Sequence, residues 1–373
     1  MNDALLLTLN LGSSTLKVAC FGGLRAHRAQ PLGRVELDLG AADGPDALLT
    51  RAAAALGLPR APAWVAHRIV HGGDATRPRP LDEEELARLH ALAPLAPIHQ
   101  PGALALVGRA CALWPAARQF GVYDTAWHAT LPEAVRRLPV PEAWHALGVR
   151  RYGFHGLAFA AAMRALTALA ADAAQARVVL AHLGGGSSLC AVAAGRSVDT
   201  TMGMTPLDGL PMSTRSGSLD PGALLFLMRR HAMREDALEH ALYRDSGLRG
   251  LSGSSGDVRE LLRSPEPAAR LALDVFARRV AQGIAAMGTS LGGIDHLVFS
   301  GGIGARSAAV RAMIAARLAW LGIGLDAQAN AGGAARLNHA DAPVAVWQVE
   351  VDEQAEMATE CAAAAADGTL ALD

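Results

Sequence analysis

The chain spells one strand-and-turn plan twice. Leu7-Thr8-Leu9-Asn10-Leu11-Gly12-Ser13-Ser14 runs an apolar strand into a Gly-Ser turn, and a second apolar strand follows at 16–21. Leu180-Ala181-His182-Leu183-Gly184-Gly185-Gly186-Ser187-Ser188 repeats the plan, with a following strand at 189–193. A tight hairpin of this kind can point several backbone N–H groups and hydroxyls at one anion. Glycine permits the close approach and the positive φ that such a nest requires. Either copy alone reads as an ordinary glycine hairpin. Two copies, one near the start of each half, predict a duplicated phosphate-gripping hairpin.

Length agrees with duplication. A chain of 373 residues exceeds one ordinary core and favours two domains or one large α/β unit. Hydrophobic residues make up 51% and charged residues 18%, a balance that buries a core and excludes a disordered chain. With 34 Lys+Arg against 35 Asp+Glu there is no bulk basic field. Nucleic acid and membrane surface are therefore not expected partners, although local basic spots could hold a small anion. Aromatic residues are only 4%, which argues against a sandwich rich in Tyr and Trp.

Cys20, Cys111, Cys190 and Cys361 form no C-x-x-C pair, so neither a disulfide framework nor a zinc ribbon is expected. The acidic start and the short apolar run at 5–9 do not make a signal peptide, and no uncharged stretch has bilayer length. The expectation is a soluble, cytoplasmic protein.

Strand-like runs at 5–9, 16–21, 64–70, 119–123, 178–183, 189–194, 297–300 and 344–348 alternate with helical patterns, the mark of α/β architecture. In 267–291, Phe276, Val280, Ile284, Met287 and Leu291 share one helical face. Helices are also predicted at 83–92, 158–176, 307–321 and 353–366. Pro-rich stretches at 59–62, 78–80 and 139–141 read as turns or surface loops.

Charged residues beside glycine turns supply the chemistry. Asn10 and Lys17 flank the first hairpin. Arg68 stands in the apolar run before Gly72-Gly73, where a cation calls for an anion or a partner carboxylate. Arg215 lies among Ser213, Thr214 and Ser216, Asp124 ends a strand, His155 stands between Gly153 and Gly156, and Glu353 opens the last helix. A third glycine cluster, 301–304, leaves a strand and precedes a helix, an arrangement that accommodates a nucleotide. It is neither a Walker A loop nor a Rossmann fingerprint. There is no G-x-S-x-G elbow, and His67 and His71 on a strand do not make a helical zinc pair.

These motifs together resemble the acetokinase family, in its acetate/propionate kinase branch. The residues that carry the resemblance are N-x-G-S-S-T-x-K at 10–17, H-R-I-V-H-G-G at 67–73, P-L-A-P-I-H-Q-P at 94–101 and Y-D-T-A-W-H at 123–128. R-Y-G-F-H-G at 151–156, H-L-G-G-G-S-S at 182–188 and V-D-T-T-M-G-M-T-P-L-D-G-L-P-M-S-T-R-S-G at 198–217 follow in order. The resemblance implies two similar α/β domains of the sugar kinase, Hsp70 and actin (ribonuclease H-like) superfamily, with the active site in the cleft between them. It places the first domain at 1–126 plus 356–373 and the nucleotide-binding domain at 127–355.

The implied activity is Mg2+-dependent transfer of a phosphoryl group between ATP and acetate, with propionate as a second acid and Mn2+ as an alternative ion. Arg68 and Arg215 would hold the carboxylate and the phosphoryl group, His155 would donate to the latter, and His99 and His182 would line the cleft. Asn10, Asp124 and Glu353 would position the metal ion. Lys17, His182 and Gly184, Gly185 and Gly186 would face the phosphates; Asp257, Arg259, Gly302 and Gly304 would contact adenosine. Val70, Ile98, Phe154 and Pro206 would enclose the acid's methyl group. A homodimer is implied as well.

The chain departs from the family pattern at Gly185, at Leu157-Ala158-Phe159, at Ser218, at Ala305-Arg306 and at Gln354. Most of these lie on the nucleotide side. Alternatives are a kinase of another short-chain acid, one with a donor such as pyrophosphate, or a non-catalytic nucleotide-binding relative of actin.

Overall fold

The computed structural model describes residues 5–12, 15–23, 29–39, 45–58 and 60–370. Ser13 and Ser14 of the first Gly-Ser turn lie outside the described residues. The chain divides into two units, Met1–Ala129 with Phe154–Ala161 and Asp352–Asp373, and Thr130–Gly153 with Ala162–Val351.

The first unit is built on β1 (Leu6–Leu11), β2 (Thr15–Gly22), β3 (Gln30–Asp38), β4 (Trp64–Ile69), β5 (Arg79–Pro80) and β6 (Arg118–Tyr123). Their order across the sheet is β3-β2-β1-β4-β6-β5. β1, β2 and β3 pair antiparallel, whereas β1, β4 and β6 run parallel. Side chains alternate along a strand, so β1 serves both faces. Leu6 packs with Phe21, Trp64, Met357 and Cys361, the last two from the helix Glu353–Ala366. Leu7 and Leu9 pack with Leu49 and Leu106 of the helices Pro45–Ala55 and Gln100–Leu113. A sheet covered on both faces explains why these strands read as continuous apolar runs.

The second unit repeats the scheme with β7 (Arg177–Leu183), β8 (Ser187–Ala193), β9 (Arg196–Thr200), β10 (His296–Ser300) and β11 (Ala345–Gln348). The order is β11-β10-β7-β8-β9, with β7, β8 and β9 antiparallel and β11, β10 and β7 parallel. Three antiparallel strands continued by two parallel ones occur in each unit. The long helix Pro267–Leu291 buries Phe276, Val280, Ile284 and Met287 against this sheet, with Leu291 partly buried beside them.

Several elements differ from the sequence reading. β3 alternates between exposed and half-buried residues at the sheet edge, so it offers little apolar signal. The 78–80 turn contains β5, an edge position that accepts proline because no ladder N–H is needed there. The helix read at 158–176 is Gly156–Leu169 followed by a short turn, and that at 307–321 is Ala308–Ala315. Among the described residues no helix is long and apolar enough to cross a membrane.

Candidate active site

Three parallel strands deliver polar residues to one edge of the first sheet. Asn10 lies near the end of β1, Arg68 near the end of β4, and Asp124 directly after β6. The carboxyl ends of parallel strands are where open α/β sheets place ligands. Glu353, the first residue of the C-terminal helix, joins them.

Arg68 grips Asp124 through two nitrogens: Nε donates to Oδ1 at 3.1 Å and Nη2 to Oδ2 at 2.7 Å. Its Nη1 donates to Asn10 Oδ1 at 3.0 Å and stands 3.4 Å from Glu353 Oε2. Asn10 Nδ2 in turn donates to the same Glu353 oxygen at 2.6 Å. Burial pushes the Asp124 carboxyl above the usual carboxylate range; Arg68 pulls against this, and the Glu353 charge adds to the rise. Burial also opposes the Arg68 charge, but Asp124 and Glu353 outweigh it and hold the guanidinium charged. The forked geometry is that of an ionised pair. Two carboxylates thus face one guanidinium in this cluster.

The loops around the cluster are pinned by backbone contacts. Buried Gln100 accepts from His71 N at 3.1 Å and donates to His71 O at 3.0 Å, as a neighbouring strand would. Gly72 N donates to Thr125 Oγ1 at 3.2 Å, and Asp124 N to Ile69 O at 3.0 Å. Val70 and Phe154 are buried, and the His71 ring meets Phe154 edge-on at 5.3 Å. Ile98 and His99 are half-buried at the start of Gln100–Leu113. His155 has φ +59°, a left-handed backbone that non-glycine residues rarely adopt, and strain of this kind tends to sit at functional sites. Lys17 is register partner to Asn10, but its half-exposed ammonium reaches Glu36 at 3.8 Å.

In the second unit two glycine turns lie side by side, because β7 and β10 are parallel neighbours with Ser300 opposite His182. His182 Nδ1 lies 3.1 Å from Ser300 Oγ. A Cβ on Gly184 would stand 3.7 Å from Gly302 N, and one on Gly301, at φ +77°, would strike Leu183 O at 2.6 Å. Gly185 is exposed with open space where a side chain would project. Arg215 is buried and donates from Nη1 to Pro206 O at 2.8 Å. Its loop is held by Met212 N to Arg215 O and by Ser213 N to Gly185 O. Asp257 and the exposed Arg259 bind each other at 2.5 Å, where Asp257 caps the helix Val258–Arg263. Gly302 and Gly304 form a single helical turn after β10.

Sequence reasoning passed over the residues that hold these loops. Gln100, Thr125 and His128 lie inside the quoted motifs, but no local pattern marks a side chain that clamps a distant backbone. Ser218, where the family pattern has aspartate, donates to Asp208 Oδ1 at 2.6 Å.

The sequence profile described as the Acetokinase family matches residues 58–359. An acetate kinase of Nitrobacter hamburgensis is 43% identical over 294 residues, 79% of this chain and 73% of that protein. One from Deinococcus radiodurans is 41% identical over 350 residues, 87% of this chain and 88% of that protein. The crystal structure of a propionate kinase from Francisella tularensis superposes with a TM-score of 0.87 at 29% identity, covering 96% of this chain and 98% of that one. The chain belongs to the acetokinase family.

Proposed function

We propose that the chain is an acetate kinase, transferring the γ-phosphoryl group of ATP reversibly to acetate and accepting propionate as well. The observation that carries this reading is the Arg68–Asp124–Asn10–Glu353 cluster at the ends of β1, β4 and β6. The family's named acetate and propionate kinases support it.

A carboxylate nucleophile is ionised near neutral pH, with a pKa of about 4 to 5, and needs no general base. One carboxylate oxygen forms a bond to the γ-phosphorus while the bond to the β,γ-bridging oxygen breaks, and ADP leaves with that electron pair. No proton changes hands. The obstacle is repulsion between two anions, so positioning and charge neutralisation do the catalysis. Arg68, held in place by Asp124, receives the carboxylate; Arg215 and His155 stabilise the transferring phosphoryl group. The methyl group faces Val70, Ile98, Phe154 and Pro206. One more methylene in an apolar pocket changes selectivity by only about 1–3 kcal/mol, which is why propionate is expected to react.

Asn10, Asp124 and Glu353 offer one amide and two carboxyl groups as oxygen donors, which suits a hard cation. Mg2+ characteristically takes one or two carboxylates beside waters and substrate phosphates. Bound there, Mg2+ would neutralise charge on the β- and γ-phosphates. His182, Lys17 and the glycines at 184–186 take the phosphate side, and Asp257, Arg259, Gly302 and Gly304 the adenosine side. We place the enzyme in the cytoplasm as a homodimer; the exposed Leu225, Phe226 and Met228 of the helix Pro221–His231 suit a covered surface.

Hydroxylamine trapping of acyl phosphate over acids from C2 to C5 and over ATP, GTP and pyrophosphate tests the reading. Acetyl hydroxamate formed from ATP and acetate, with propionate next, is expected. No product with any acid and donor would overturn it, and product from pyrophosphate alone would replace the donor.

A further inference from the structure

His128 is buried and sits one turn beyond Asp124 in the short helix Ala126–Thr130. Its Nε2 lies 3.0 Å from the backbone oxygen of Phe154. A carbonyl oxygen only accepts, so Nε2 carries the hydrogen and the ring is in the Nε2–H tautomer or protonated. The peptide so held is the one joining Phe154 to His155, and His155 is the residue with the left-handed backbone. On the far side of His155, Gly156 N donates to Asp124 O at 2.9 Å. The His128 ring also meets Phe159 edge-on at 5.7 Å, and the His155 ring faces the same Phe159 at 6.5 Å. The segment carrying His155 is thus tied at both ends to one short stretch, Asp124 to His128.

A left-handed non-glycine residue costs on the order of 1–3 kcal/mol and persists only where its surroundings over-determine it. Of the two ties, Gly156 is a backbone contact available to any sequence that places glycine there. The tie through His128 is made by a side chain, and it fixes the peptide plane from which the His155 side chain departs. We infer that His128 is a positioning residue. It holds the Phe154–His155 peptide so that the His155 imidazole is aimed for phosphoryl transfer, and it touches no substrate itself. This rests on the reading of His155 as a group that stabilises the transferring phosphoryl.

The test is a double-mutant cycle in acyl phosphate formation, with His128→Phe, His128→Gln, His128→Asn and His155→Ala. Phenylalanine keeps the ring and removes the donor. The Gln amide nitrogen reaches about as far as Nε2, and the Asn amide only as far as Nδ1. Expected is a kcat loss on the order of 10–100-fold in His128→Phe, with the KM for ATP and for acetate within about twofold of the parent. Most of the loss should return in His128→Gln and not in His128→Asn. In a His155→Ala background the same His128→Phe change should cost less than about twofold, because the group it aims is gone. An undiminished cost in that background, or equal activity in the Gln and Asn variants, overturns the inference. Should His128→Phe fail to fold, the Gln–Asn contrast decides it. Full activity in His155→Ala alone would instead overturn the reading of His155, a separate result.

Discussion

Gly156 and Asp124 meet backbone to backbone: Gly156 N donates to Asp124 O at 2.9 Å, and a Cβ on residue 156 would lie 2.2 Å from that oxygen. It would also lie 2.7 Å from Trp127 Cβ. None of these atoms is the far end of a flexible side chain, so Gly156→Ala must push the two segments apart. We expect a stability loss of about 3 kcal/mol and a fall in kcat that exceeds any change in acetate KM. Urea unfolding and steady-state kinetics check it; an alanine variant with parental kcat would show that this approach does not set the site.

The glycine at 185 works in the opposite sense. Open space surrounds it, and the acetokinase pattern has asparagine there. Gly185→Asn should be tolerated at little cost in stability and should lower the KM for ATP about threefold to tenfold, by supplying one more phosphate donor. The acetate KM should stay unchanged. An unaltered ATP KM would mean that the turn does not face the phosphates.

Arg215 invites a kinetic rather than a stability test. Its guanidinium donates to the Pro206 carbonyl, and in the proposed reaction it would act on the phosphoryl group in flight. Arg215→Ala is expected to lower kcat by roughly 10³-fold while raising acetate KM far less. A parental kcat would remove Arg215 from the reaction.

How much of this was open to reading along the chain depends on locality. The runs that became β1, β4, β6, β7 and β10 are buried along most of their length and announce themselves as mostly apolar stretches. β3 and β9, at sheet edges, do not. Arg68 was legible as a cation in need of a partner because it interrupts such a stretch. That its partners are Asp124 and Glu353 was not, since Asp124 lies 56 positions away at another strand end, and Glu353, on the helix packed against this sheet, is 343 positions from the adjoining Asn10. Gln354 shows the same limit. The pattern has an acid there, whereas in this fold Gln354 Nε2 faces the Thr8 carbonyl at 3.4 Å, which an amide can satisfy and a carboxylate would repel.

His67 should govern part of the acid sensitivity. It is fully buried on β4, with Nε2 on Gln119 Oε1 at 2.8 Å and, among the described residues, no hydrogen-bond partner for Nδ1. Burial lowers its pKa from 6.5 to about 4, against the small opposing pull of Gln119. The unfolded chain therefore takes a proton that the folded one refuses. The stability associated with this group is full above pH 6.5 and drains away as pH falls towards 4, by up to about 3 kcal/mol. Urea unfolding of His67→Phe should show a flatter pH dependence between 6.5 and 4 than the parent. Parallel curves would place the acid sensitivity elsewhere.

Arg311 raises the question of what a buried cation does without an acid. It is 1% exposed, and among the described residues its partners are all neutral oxygens. Nε donates to Asn330 Oδ1, Nη2 to Asn330 O, and Nη1 to both Gly304 O and Ala305 O, at 2.8 to 2.9 Å. Burial lowers its pKa and no ion pair offsets the cost. What the fork secures is the end of the Gly301–Gly304 turn and its connection to Asn330. A lysine keeps the charge but gathers its donors at one point and cannot satisfy four oxygens so spread. Arg311→Lys should therefore lose about 2–3 kcal/mol of stability through unpaired buried carbonyls. It should also raise the KM for ATP more than that for acetate if the turn it loosens takes the nucleotide, as proposed for Gly302 and Gly304. Equal shifts in both constants would make Arg311 a general prop of the second unit, whereas a selective one ties this buried charge to the donor.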